Sequence, residues 1–391
     1  MSASEPTRRR LSAVLRDGGT VTPLELFFDL VFVLAITQCT ALMAAEPTWQ
    51  QFARAFLLLA VLWWSWVGYA WLTSVVDPEE GWVRLVIFAA MAGLLVAALC
   101  IPQAFEDLGL LFAGAYAVVR LAQIALFFIA AQDDPQLRRS ITGLFVSTFI
   151  GVSLLSAAAF ADGLLQGAIW AAAVVIDMAG PYVFGSEGWW LEPEHFAERH
   201  GLIVLIALGE SIVAIGLGAE TGVDAGVVIG AIVGVALAAA LWWLYFDVVA
   251  LVAARRLERA APGRERNEIA RDSFSYLHFP MVAGIVFVAL GVKKTLGHVG
   301  DPLHVEPAAA LLGGIALYLL AHVAFRWRNV HRFSTQRLVV ALAMIALIPA
   351  GAVMPALATL AMATGILAVM IVYEVVRFAE LRTRLRHDLR H

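Results

Sequence analysis

Apolar runs of about twenty residues follow one another from residue 23 to residue 377, separated by short polar breaks. That is the length a helix needs to cross the hydrocarbon of a bilayer. The pattern predicts about twelve spans, near 23–45, 52–75, 83–104, 108–131, 140–161, 163–185, 198–218, 226–253, 273–295, 307–326, 334–353 and 355–377. The shortest breaks are those at Asp162 and Pro355. The predicted fold class is therefore all-α, a polytopic integral membrane protein.

Composition agrees. Of the 391 residues, 61% are hydrophobic and 15% are charged, whereas a soluble domain carries roughly 25% charged residues. The net charge of -4 gives no footprint for a nucleic-acid partner. Cys39 and Cys100 both lie in apolar runs and read as small buried hydrophobes. The first apolar run contains Glu25 and Asp29 and has no small-residue cleavage site, so it does not read as a signal peptide. The expected partner is the bilayer of the inner membrane, with a cation or small solute as cargo. Homo-oligomerisation is compatible with the sequence, and no cofactor is assigned.

Basic residues orient the chain. Arg8–Arg10 and Arg16, Arg138 and Arg139, the cluster Arg255–Arg271, the cluster Arg326–Arg337, and Arg382–Arg390 fall on one side if the spans number twelve. That side is expected to be cytoplasmic, with both termini inside. The opposite breaks carry Glu46, Glu106, Asp107, Asp162, Glu220 and Asp224.

An internal repeat is expected. Leu62-Trp63-Trp64 in span two is matched by Leu241-Trp242-Trp243 in span eight. Gly93 of Met91-Ala-Gly is matched by Gly284, Tyr116 with Arg120 by Tyr318 with His322, and Glu25 with Thr37 by Glu198 with Glu210. The order is kept, so two parallel six-helix repeats are expected. The organisation reads as a cytoplasmic tail at 1–22, a first repeat at 23–185, a linker at 186–197, a second repeat at 198–377 and a basic tail at 378–391.

Candidate chemistry lies in polar residues inside these spans. An ionised Asp or Glu in the bilayer core costs about 3 kcal/mol or more unless paired or wet. Glu25 and Asp29, four apart, share a helix face and head the first span. Glu210 lies about three turns beyond Glu198, deep in the seventh. The expected substrate- or ion-binding residues are Glu25, Asp29, Thr37, Gln38, His195, Glu198, Glu210, Ser211 and His278, with Arg120 and Asp177 as a structural ion pair. Further buried candidates are Asp247, Lys293, His322 and Glu374. Transport of a cation or small solute is the leading expectation, and a ligand-binding or sensing role the alternative. Metal-dependent hydrolysis by His195, Glu198, His200 and His278 ranks lower, because His-x-x-Glu-x-His is not the His-Glu-x-x-His pattern. Ser211 lacks the Gly-x-Ser-x-Gly setting of a nucleophile turn.

Three stretches resemble the bacterial low-temperature-requirement A family. They are Glu25-Leu-Phe-Phe-Asp29-Leu-Val-Phe-Val-Leu-Ala-Ile-Thr37-Gln38, His195-Phe-Ala-Glu198-Arg-His-Gly201 with Leu208-Gly-Glu210-Ser211, and Ser275-Tyr-Leu-His278-Phe-Pro280-Met-Val-Ala-Gly284. The resemblance covers nearly the whole chain. It implies a multi-pass inner-membrane protein linked to growth in the cold and assigns no reaction. A fainter likeness joins Phe28-Asp29 and Ala35-Ile36-Thr37 to two-repeat potassium channels with a Phe-Ser-Asp motif, whose serine is absent here.

Overall fold

The computed structural model describes residues 19–185, 188–219 and 222–379. The expected tails fall mostly outside the described residues, with Arg8–Arg10, Arg16 and Arg382–Arg390, as does Glu220. Among the described residues the protein is a bundle of helices, and eleven are long and apolar enough to cross a bilayer.

The first six are α1 (Pro23–Ala45), α2 (Trp49–Thr73), α3 (Gly81–Cys100), α4 (Gly109–Ala130), α5 (Pro135–Ala158) and α6 (Gly163–Val183). Next comes α7 (Pro193–Gly218), which starts earlier than the expected residue 198, because Pro193 fits the first helical position. Then α8 (Ala225–Phe246) bends at Asp247 into the shorter α9 (Val249–Arg259). The next crossing joins α10 (Arg264–Ile269), a π-helical stretch Ala270–Tyr276 and α11 (His278–Gly297). It is longer than the expected 273–295. Another joins α12 (Val305–Ala308), a π-helical stretch Ala309–Gly313 and α13 (Gly314–Val330).

The expected span 334–353 is not one helix. It is α14 (Thr335–Ala346) followed by the single turn α15 (Ile348–Gly351). Pro349 opens α15 and has no N–H to continue the ladder of α14. The last crossing is α16 (Ala356–Arg377), whose first free N–H groups, those of Ala356 and Leu357, donate to the carbonyls of Asp301 and Val299.

Short polar residues at the breaks start these helices. Thr22 and Glu25 form a capping box on α1: the Glu25 N–H donates to Thr22 Oγ1 at 3.4 Å, and the Thr22 N–H donates to Glu25 Oε2 at 2.8 Å. Asp134 caps α5 by accepting from Gln136 and Leu137, with Pro135 at the first helical position.

Helix contacts recur along the chain. In the first six spans α1 packs on α2 and α3, α3 on α4, α4 on α5, and α6 on both α5 and α2. In the remainder α7 packs on α8 and α11, α11 on α13, α13 on α14, and α16 on both α14 and α8. The two groups meet chiefly where α1 lies against α7 and α11. The tryptophans differ between the groups: Trp63 and Trp64 are buried, while Trp242 and Trp243 are 43% and 37% exposed. Trp63, Trp66 and Tyr69 make α2 an inner helix rather than an interfacial belt.

Close packing of α11 on α13 depends on two glycines. A Cβ on Gly284 would lie 2.7 Å from the Gly314 carbonyl oxygen and 2.9 Å from the Tyr318 nitrogen. Both are backbone atoms and cannot rotate aside. Gly284→Ala is therefore expected to cost about 1–3 kcal/mol, seen as a lower thermal unfolding midpoint in detergent.

Candidate functional site

Two four-residue spacings face each other across the α1–α7 seam. Glu25 and Asp29 lie one turn apart on α1, and His195 and Arg199 lie one turn apart on α7. His195 Nε2–H donates to Glu25 Oε1 at 2.7 Å. Arg199 Nη1 lies 3.1 Å from the same oxygen, and Nη2 donates to Asp29 Oδ1 at 2.7 Å. Glu25 thus uses Oε2 to start α1 and Oε1 to hold α7.

The end of α2 closes this cluster. Ser74 Oγ faces His195 Nδ1 at 2.9 Å, Arg199 reaches Thr73 Oγ1 at 3.4 Å, and the Trp66 indole donates to Asp29 Oδ1 at 2.8 Å. The guanidinium also lies over the Trp66 ring, 5.6 Å from its centroid. All four charged or titratable groups are at most 2% exposed. Among the described residues Asp29 Oδ2 accepts no hydrogen bond. Trp66→Phe would leave Asp29, among the described residues, with Arg199 as its hydrogen-bond donor, and a loss of about 1–3 kcal/mol is expected in a chemical unfolding titration.

Farther along the same seam the polar chemistry is sparser. Thr37 Oγ1 donates to Glu210 Oε2 at 2.6 Å, while Oε1 accepts no hydrogen bond among the described residues. Ser211 Oγ is buried with no hydrogen-bond partner among the described residues. No salt bridge reaches Glu210 among the described residues, although it is 1% exposed. It lies twelve residues beyond Glu198, about 18 Å along the helix.

A row of rings continues from α7 through the second group of helices. His200 Nδ1–H donates to the Phe196 carbonyl, and its Nε2 has no hydrogen-bond partner among the described residues. Its ring stands 5.1 Å from that of His278. His278 Nδ1–H donates to the Ser273 carbonyl, so its Nε2 takes the Tyr245 hydroxyl at 2.8 Å. The π-helical stretch before it also presents Ser275, whose carbonyl accepts the Trp63 indole at 2.8 Å and whose hydroxyl takes the Trp71 indole.

Each group of helices holds a further buried ion pair. Arg120 on α4 lies 3.2 Å from Asp177 on α6 and also donates to Gln123, Thr148 and the Trp64 carbonyl. Tyr116 donates to the same Asp177. Arg337 on α14 is bidentate to Glu374 on α16, at 2.9 Å for each bond, and donates to His322 Nδ1 and the Leu244 carbonyl.

The structure brings Glu25, Asp29 and His195 together, and it joins Thr37 to Glu210. It separates the rest. Glu198 is exposed and accepts the Val21 N–H at 3.1 Å, so it caps the entry to α1 and does not mirror the buried Glu25. Gln38 is half-buried with no side-chain hydrogen bond among the described residues. His195, Glu198, His200 and His278 take four different sets of partners and do not converge on a common point. Among the described residues no three His, Cys, Asp or Glu side chains are placed to share a metal ion. Arg199, Trp66, Thr73 and Ser74 complete the seam and were not among the expected residues. The spacing of His195 and Arg199, equal to that of Glu25 and Asp29, is the signal that could have found Arg199.

These features define a polytopic helical membrane protein with a buried acid–base seam between its central helices. Residues 20–372 match the family of the bacterial low temperature requirement A protein, LtrA, and the chain belongs to that family. It is similar to an uncharacterized protein, RA0937, of Rhizobium meliloti (strain 1021). The two are 32% identical over 307 residues, 75% of this chain and 74% of the relative. No solved structure matches.

Proposed function

We propose that the protein moves a cation, the proton first among them, along the α1–α7 seam, with Glu210 as the group that binds it. The observation that carries this reading is Glu210 itself. It is a buried carboxyl group that accepts the Thr37 hydroxyl, with the Thr40 hydroxyl beside it, and among the described residues it has no salt bridge and its second oxygen accepts no hydrogen bond. An isolated carboxylate in a low-dielectric interior holds a proton or a cation. The Glu25–His195–Arg199–Asp29 cluster closes one end of the seam. There an incoming cation competes with Arg199 for the same carboxylates, so charge exchange is coupled to separation of α1 from α7.

The reading takes the chain as two parallel six-helix repeats, 23–185 and 198–377, in the inner membrane with both termini cytoplasmic. The recurring helix contacts favour this. The twelfth crossing would be α14 with α15.

Flux is the test. In proteoliposomes with an internal pH-sensitive dye and valinomycin to balance charge, the protein is expected to collapse an imposed pH gradient faster than protein-free vesicles do. Sodium and potassium uptake measured in parallel would identify a cation other than the proton. Vesicles that move none of the three at a protein-dependent rate would overturn the proposal.

A further inference from the structure

A second polar site lies away from the α1–α7 seam. A cavity of about 340 Å³ opens between the α8–α9 bend, the end of α13, the start of α14 and the end of α16. Its charged lining is Arg326, Arg332 and Arg337 with Asp247 and Glu374. Three guanidiniums against two carboxylates leave one positive charge in excess if both acids are ionised.

The cations are not equivalent. Arg337 is consumed by Glu374 and His322. Neither Arg326 nor Arg332 makes a hydrogen bond or salt bridge among the described residues, yet Arg326 is half-buried. The neighbouring amides have partners already: Gln336 donates to Glu374, and Asn329 donates to the Phe325 carbonyl. The donors left over in the cavity are therefore guanidinium groups. Their planar fork matches the oxygens of a phosphate or carboxylate. A half-buried guanidinium has given up part of its hydration and gains most from an anion that enters beside it.

The remaining wall is apolar and includes Trp243, Val249 and Val252. The volume exceeds what a bare inorganic ion fills. One excess positive charge, forked donors and an apolar wall together describe a singly charged phosphate bearing an organic substituent.

We propose that this cavity binds a monoanionic phosphate group through Arg326 and Arg332, with Arg337 and its partners as the fixed floor. Such a phosphate has two sources, the headgroup of an anionic membrane lipid or a water-soluble phosphate. The proposal is independent of the Glu210 reading, since its test requires no flux.

The test uses the full chain in phosphatidylcholine nanodiscs in phosphate-free buffer. Two probes are titrated separately, inorganic phosphate and short-chain phosphatidylglycerol, with short-chain phosphatidylcholine as the neutral control. Binding is read as a saturable rise in thermal unfolding midpoint and by equilibrium dialysis of radiolabelled probe. Saturable binding is expected for phosphatidylglycerol, for phosphate, or for both, and not for phosphatidylcholine. Arg326→Gln is expected to weaken it at least tenfold. The exposed Arg264→Gln, whose partner is Glu268 on the surface, is expected to leave it unchanged. Phosphatidylglycerol binding without phosphate binding assigns the site to the lipid headgroup, and binding of phosphate as well assigns it to the phosphate group itself. Absence of saturable binding by both anions overturns the proposal, as does an Arg326→Gln protein that binds as tightly as the wild type. Arg326 makes no hydrogen bond or salt bridge among the described residues, so its replacement is not expected to unfold the chain, and the unliganded unfolding midpoint checks this directly.

Discussion

Arg199→Met is expected to lower the stability of the folded protein by about 3–5 kcal/mol, the range for breaking a buried ion pair from one side. The cause is specific. Arg199 lies 3.1 Å from Glu25 and 2.7 Å from Asp29, and all three are nearly inaccessible to solvent. Methionine fills much of the same volume but supplies no donor. Among the described residues, Asp29 would keep the Trp66 indole, and Glu25 would keep His195 and its own capping bonds. Arg199→Lys is expected to recover part of the loss, since one ammonium cannot match the fork that spans both acids. Neutralising the acids in the same chain, as Arg199→Met with Glu25→Gln and Asp29→Asn, should also recover part of it. Thermal unfolding followed by tryptophan fluorescence in detergent checks the series. Equal midpoints for the wild type and Arg199→Met would mean that the seam contributes nothing to holding α1 on α7.

Glu210→Gln is expected to separate function from stability. Protein-dependent flux should fall at least a hundredfold, to the level of empty vesicles, while stability stays within about 1 kcal/mol of the wild type. The carboxamide oxygen of glutamine accepts the Thr37 hydroxyl as the carboxylate does. What it cannot do is release or take up a proton, or neutralise a cation. A buried acid without a salt bridge contributes little to the fold, and removing its charge removes a desolvation cost. This is the opposite of Arg199, whose loss strands its partners. Flux at the wild-type rate with glutamine at position 210 would remove Glu210 from the transport path. A large loss of stability would make it a structural residue.

Much of the fold was legible in the chain because lipid imposes one rule on every span: backbone groups must be satisfied within the helix, and the sequence must stay apolar for about twenty residues. The run 335–351 escaped that rule. Its hydropathy is continuous across Pro349, but the missing N–H divides it into α14 and α15. The long crossings through residues 270–276 and 309–313 were harder to bound, because π-helical turns leave no mark in hydropathy. The seam was half legible. Glu25 and Asp29 stood out as acids in an apolar run, and His195 and Glu198 as their polar counterparts. Which of those two would turn inward depends on the rotation of α7, and the helix presents His195 and Arg199 while leaving Glu198 at the surface. Glu210 stands out for its depth, but the spacing marks Thr37 as its equivalent in the other half and gives no sign that the two are neighbours.

Thr37 and Glu210 occupy corresponding positions in the two halves of the proposed repeat, and they touch. A symmetric homodimer of six-helix subunits would place the same residue at both positions on its twofold axis, glutamate against glutamate or threonine against threonine. Two like carboxylates there would repel, and two hydroxyls could carry no charge. Once the subunits are fused into a single chain, the positions are free to diverge. Within the proposed repeat, the pairing of one hydroxyl with one carboxyl is an arrangement that an exact homodimer could not present at such an axis.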